Sequence, residues 1–188
     1  MPRIARVAVL SESGLVLVAA VLGLLIGVDP FATLRWSVRS VGIGLVATIP
    51  PVAAMWWIDR SSLPPLRRLR AEVDRTLRPL FASCRLVDIL AIGLAAGIGE
   101  EVLFRGLAQA AVGIAVTPLA GLVVASVLFA VLHLVTPTYA VLAGLMGAYL
   151  GWVFLATGTL LAPIVVHAAY DVVALAWWLR REPEPAGP

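Results

Sequence analysis

The sequence predicts an all-α, polytopic membrane protein of about six transmembrane helices around a polar intramembrane cavity. Three observations carry that expectation. Hydrophobic residues make up 61% of the 188 residues and charged residues only 13%, against about 25% charged in ordinary soluble domains, and the mean hydropathy is +1.00. The apolar residues fall into six runs. A few ionisable side chains interrupt those runs where hydrocarbon would penalise them by at least a few kcal/mol, so they require a polar interior.

The runs cover residues 7–28, 38–58, 86–110, 118–135, 139–156 and 160–179. A helix needs about 20 apolar residues to cross a ~30 Å hydrocarbon core. The first three runs and the last meet that length. The fourth and fifth are short and share a turn at Thr136, Pro137 and Thr138. The first run is too long for a signal-peptide core and no cleavage site follows it, so it reads as an uncleaved span. Length leaves room for one domain over 1–188, with a motif-bearing core at 86–179, a loop at 59–85 and a Pro-rich tail at 182–188 expected to be disordered.

Within the loop, Leu66, Leu69, Val73, Leu77 and Leu80 recur at steps of three and four with arginines between them. That pattern predicts an amphipathic helix on the cytoplasmic membrane face, ended near Pro79 and anchored to anionic lipid. Orientation follows from arginine. Arg60, Arg67, Arg68, Arg70, Arg75, Arg78 and Arg85 lie in the loop, Arg3 and Arg6 at the N-terminus, Arg180 and Arg181 at the C-terminus, and only Arg35 and Arg39 on the opposite side. The positive-inside rule places both termini and the loop in the cytoplasm of a multi-pass cell-membrane protein. Trp56, Trp57, Trp177 and Trp178 fall at inner span ends. The basic residues are juxtamembrane, so the net charge of +3 does not point to nucleic acid. All 14 are arginine, which reads as a bacterial, GC-rich coding bias. The single cysteine, Cys84, has no intramolecular partner.

Small residues mark close helix packing: Gly93 and Gly97 form one G-x-x-x-G pair, and Gly147 and Gly151 another. Gly97 and Gly99 are also placed to loosen the third helix and admit water.

The chemistry concentrates in a few residues. Glu100 and Glu101 follow an uncharged run from Ile89 to Gly99, and Arg105 lies one helical turn on. Glu101 and Arg105, four apart, share a helix face, which leaves Glu100 on a neighbouring face. A lone carboxylate in an apolar pocket is a competent general base for a water molecule near neutral pH. The only histidines, His133 and His167, also interrupt apolar runs and supply N–H donors for an oxyanion or carry protons. Asp171, four after His167, either fixes its tautomer or donates a hydrogen bond itself. Taken alone, Glu101–Arg105 also reads as a structural ion pair, Asp171 as a partner that satisfies His167, and His133 as a structural helix-end histidine. Taken together, the set suits water attack on an amide carbonyl.

At these residues the chain resembles the CAAX protease and bacteriocin-processing (Abi) family. Glu100-Glu101-Val-Leu-Phe-Arg105 matches its E-E-x-x-x-R motif, Phe129-Ala-Val-Leu-His133 its F-x-x-x-H motif and His167-Ala-Ala-Tyr-Asp171 its H-x-x-x-N/D motif, in the family's order. The resemblance implies an intramembrane peptidase acting on a membrane-associated peptide or protein in a helical bundle around a water-filled cavity. It implies Glu100 as the base, Glu101 and Arg105 as its support, His133 as a holder of the water, and His167 with Asp171 as oxyanion stabilisers. Asp171 stands where the family often has Asn, and an ionised Asp cannot donate to an oxyanion. The chain lacks additional spans of the eukaryotic prenyl proteases.

Three alternatives stay open. One is a non-catalytic immunity or scaffold protein of the same fold. Another is a small transporter, which the absence of inverted repeats disfavours. The third is a zinc enzyme, with Glu100, His133 and His167 as a His₂Glu ligand set. No cofactor is favoured, because the histidines lack the i, i+4 spacing of a zinc helix. Depth arithmetic strains the picture. Glu100 lies ~18 Å from the inner end of its run, whereas His133 is near the inner end of its own and His167 nearer the outer end. Tilt, a break at Gly97–Gly99 or a deeply buried Thr136–Thr138 turn would reconcile them, and the last also explains the two short runs.

The arginine asymmetry yields a topology test. In a Cys84→Ala background, single cysteines at Pro2, Arg67 and Gly187 are expected to react only with inner-side reagent. Outer-side labelling of either terminus would overturn the orientation.

Overall fold

The computed structural model describes residues 1–181; the tail at 182–188 lies outside the described residues. Among those described there is helix and no strand, as expected. α1 (Arg3–Ile26) ends at Gly27, whose φ of 72° is the left-handed cap that glycine adopts without steric cost. α2 (Val38–Ala47) and α3 (Ile49–Arg60) form one rod kinked at Thr48, where Pro50 and Pro51 enter the first turn of α3 and their missing N–H groups cost nothing. α4 (Pro64–Thr76) is the amphipathic helix of the loop and buries Leu66 and Leu69. It stops at Thr76; Pro79 opens the separate turn α5 (Arg78–Phe81) instead of ending α4.

α6 (Leu86–Glu101) starts with the Asp88 carboxylate accepting the Arg85 N–H at 2.9 Å. It runs into a π-helical segment (Val102–Gln109) and then α7 (Ala110–Ala115). α8 (Pro118–Leu132), α9 (Pro137–Thr157) and α10 (Leu161–Arg180) complete the bundle. Four helices are long and apolar enough to cross a membrane: Arg3–Ile26, Val38–Arg60, Pro137–Thr157 and Leu161–Arg180. Pro118–Leu132 is apolar but shorter, and the rod from Leu86 to Ala115 is divided by its π-helical part. Leu24 and Leu25 of α1 are 85% and 76% exposed, an apolar face suited to lipid.

Two glycines set where α6 meets α10. A Cβ on Gly93 would stand 2.6 Å from the Val172 side chain, and one on Gly97 2.8 Å from Ala168 Cβ. Gly97 therefore docks on the residue that follows His167, which brings the end of α6 beside that imidazole. The helix is unbroken across Gly97–Gly99, so these glycines serve packing and do not loosen it. The widening comes later, at Val102–Gln109.

The depth problem is resolved by the register of a helical hairpin. Thr136 and Thr138 are half-buried against the protein and Pro137 is exposed. The correction lies at the other end, because the third rod continues to Ala115 and not Ala110. It folds back through Val116 and Thr117 into α8. Glu100 lies 15 residues before Ala115 and His133 15 residues after Pro118, so in an antiparallel hairpin both stand ~22 Å from the tip. Gly121, close against Gly113 and the Gln109 carbonyl, fixes that register.

Gly97→Leu is expected to force α6 and α10 apart and to cost roughly 1–3 kcal/mol as an overpacked contact. Gly42→Leu, where a Cβ meets nothing within 4 Å, serves as the control. Thermal melting in detergent measures both, and equal melting temperatures would refute the packing role.

Candidate active site

The site is built on one buried arginine. Arg105 has no solvent exposure, and neither does Glu101. Arg105 Nη1–H donates to Glu101 Oε1 at 2.7 Å, and its Nη2–H to the Gly147 carbonyl of α9 at 2.8 Å. Its guanidinium lies 4.9 Å from the centre of the Phe129 ring, within cation–π range. Gly147 packs against Ser126 and Phe129 of α8, where an added Cβ would be 3.3 Å from Ser126 Cα. The close approach of α8 and α9 thus delivers the carbonyl that Arg105 needs.

Glu101 Oε1 accepts a second hydrogen bond from His167 Nδ1–H, at 2.7 Å. A carboxylate paired with arginine is an acceptor, so Nδ1 of His167 carries the proton and Nε2 faces the cavity. There it lies 3.5 Å from Asp171 Oδ2 and 4.0 Å from Glu100 Oε2. Glu101, not Asp171, is the group that holds Nδ1. His133, at the end of α8, is oriented in the same way. Its Nδ1–H donates to the Phe129 carbonyl at 2.8 Å and its ring stacks on Phe129 at 4.2 Å. Its Nε2 stands 3.7 Å from Glu100 Oε2. Glu100 Oε2 is buried and has no hydrogen-bond partner among the described residues.

The six residues singled out in the sequence, Glu100, Glu101, Arg105, His133, His167 and Asp171, therefore lie in one connected cluster. Glu100, His133, His167 and Asp171 line a cavity of about 680 Å³. Its walls are apolar on the α3 and α9 sides, through Met55, Leu142 and Met146, and it widens toward Arg70, Trp177 and Arg181 near the loop helix. Polar contacts join the walls at that end: Trp177 Nε1–H donates to Asp59 at 3.3 Å, Trp178 Nε1–H to Asp74 at 2.8 Å, and Arg181 pairs with both aspartates.

Glu100, His133 and His167 are also the residues that would ligate a metal if one were bound. Their separations at Glu100 Oε2 exceed the roughly 3.3 Å between neighbouring ligands of a tetrahedral zinc site. Among the described residues no group of three or more His, Cys, Asp or Glu is set closely enough to hold an ion.

Sequence reasoning missed two residues of the site. Phe129 supports both Arg105 and His133, a role that a motif position does not reveal. Glu12 of α1 lines the same cavity. Its signal was in the sequence, as a carboxylate in the apolar run 7–28, and that run was read as generic.

Residues 82–173 match the family model of Rce1-like proteins, described as type II CAAX prenyl endopeptidase Rce1-like. The match contains all three motifs. Over that segment, just under half of its length, the chain is similar to the Rce1-like type II CAAX prenyl endopeptidases. No curated protein and no solved structure matches it. With the helices described above, it is a multi-pass membrane protein.

Arg105→Ala strands the Glu101 carboxylate in the core, and breaking such a pair costs about 3–5 kcal/mol. The variant is expected to express poorly and melt well below wild type in detergent. An unchanged melting temperature would show that the pair does not hold the bundle together.

Proposed function

We propose that the chain is an intramembrane endopeptidase that hydrolyses a peptide bond of a membrane-associated protein or peptide with glutamate-activated water. The observation that carries this reading is Glu100 Oε2, buried and without a partner, faced by the Nε2 atoms of His133 and His167 at 3.7 and 4.0 Å. A water held by Glu100 and His133 loses a proton to Glu100 as its oxygen attacks the substrate carbonyl carbon. The C–N bond then breaks, and Glu100 returns the proton to the departing nitrogen. The oxyanion formed between these steps is stabilised by the His167–Asp171 pair when it carries a proton on Nε2. Glu101 and Arg105 do not touch substrate; they hold His167 in its orientation.

On this reading both termini and the loop helix face the cytoplasm, and the cavity receives substrate from that side or from the bilayer. The mechanism needs no metal. Activity of detergent-purified protein is expected to survive prolonged chelation. Loss with chelation, restored by zinc together with about one zinc per chain, would make Glu100, His133 and His167 its ligands.

Comparative membrane peptidomics of cells carrying wild type or Glu100→Gln tests the central claim and supplies a substrate. Peptides present only with wild type are expected, and purified Glu100→Gln should cleave them at least about a hundredfold more slowly while melting like wild type. Identical peptide profiles at equal membrane abundance would favour the non-catalytic reading.

A further inference from the structure

The cavity contains a carboxylate that the mechanism above does not use. Glu12 sits midway along α1, where Ser11, Glu12 and Ser13 interrupt an otherwise apolar helix. Its Oε2 is buried with no hydrogen-bond partner, and Glu12 makes no ion pair among the described residues. An unsatisfied buried acceptor costs about 1–3 kcal/mol, and a carboxylate among apolar spans marks a functional site by default. α1 is brought close at this point. Gly99, the residue before Glu100, packs directly on the Glu12 carbonyl, where any Cβ would collide. Glu12 thereby enters the electrostatic neighbourhood of Glu100, His167 and Asp171.

The donor and acceptor inventory of the cluster says what such a group is for. Both Nδ1–H groups are committed, to Phe129 and to Glu101. With neutral imidazoles the atoms around Glu100 Oε2 are therefore all acceptors. The attacking water brings two donors, which Glu100 and His133 take. A peptide bond brings one further donor, its N–H, and that hydrogen must remain paired while the nitrogen becomes an amine. Of the lining carboxylates outside the water and oxyanion roles, Asp59 is already paired with Trp177 and Arg181, whereas Glu12 Oε2 has no partner among the described residues.

Building on the proposed peptidase activity, we infer that Glu12 is a further catalytic residue: its carboxylate accepts the N–H of the bond being cut and holds the released amine. No proton moves to Glu12 in this step. Water's proton goes to Glu100 and from there to nitrogen, and Glu12 accepts hydrogen bonds from the nitrogen before and after cleavage.

The test compares an amide with an ester. A peptide that depends on Glu100 in the peptidomics is synthesised with its scissile amide intact and with the N–H replaced by oxygen. Both are given to the purified full chain as wild type, Glu12→Gln and Glu12→Leu. Glu12→Leu should lose roughly 10- to 100-fold in kcat/KM on the amide and less than about twofold on the ester, which has no N–H to accept. Glu12→Gln, whose side-chain oxygen still accepts, should fall between wild type and Glu12→Leu on the amide. Its near-isosteric side chain also keeps the comparison valid if Glu12→Leu folds poorly. Equal losses on both substrates would show a merely structural role, and no loss on the amide would show no role; either overturns the inference while leaving Glu100 as the base. If Glu100→Gln changes no peptide, the peptidase reading fails and this inference with it.

Discussion

A fully buried arginine is the constraint that the rest of this molecule is arranged to satisfy. Taking a guanidinium out of water costs several kcal/mol unless a counter-charge and hydrogen-bond acceptors meet it in good geometry. Arg105 receives Glu101 from its own rod, the Gly147 carbonyl from α9 and the Phe129 face from α8. The last two are brought together where Gly147 lets α8 and α9 come close. The carboxylate that neutralises Arg105 then has one oxygen shared with His167, so the charge that stabilises the core also fixes the imidazole at the site. Structure and candidate chemistry are joined at Glu101 Oε1.

The second determinant is register. The hairpin of the π-helical rod with α8 places Glu100 and His133 at equal distance from its tip, and Gly97 against Ala168 places His167 at the same level from the other side. The π-helical segment begins directly after Glu101, and widened turns of this kind recur at functional sites. Here Glu100 and Glu101 are the last two residues of regular α-helix, and Arg105 lies inside the widened part. The loop helix belongs to the same arrangement. Asp74 ties it to Arg181, which also pairs with Asp59, at the cavity end opposite the histidines.

Much of this was readable from the chain. The helical class and the motif residues followed from apolar periodicity and from carboxylates and imidazoles where hydrocarbon penalises them. The depth of His133 did not follow, because a helix end in an all-apolar sequence has no local marker. The run 86–110 was closed at Ala110, yet Val112, Ile114 and Ala115 continue it, and only Thr117-Pro118 carries the signature of a new N-terminus. That boundary placed His133 too near the inner surface. Glu12 was lost for another reason. It was one carboxylate in a span with no motif, and its neighbours come from α6 and α10, far along the chain.

The replacement of Asn by Asp at position 171 acquires a physical meaning in this geometry. Asn would offer an N–H to an oxyanion on its own. Asp171, when ionised, offers none, and neutral His167 offers none either because its proton is committed to Glu101. A donor exists at this point only when His167 and Asp171, 3.5 Å apart, hold one further proton between them. In the proposed mechanism the two residues act as a unit, with the carboxylate compensating the charge of the imidazole that would face the substrate. The proposed mechanism also accounts for acceptors that accumulate here without a matching set of protein donors: water and the peptide N–H would supply them.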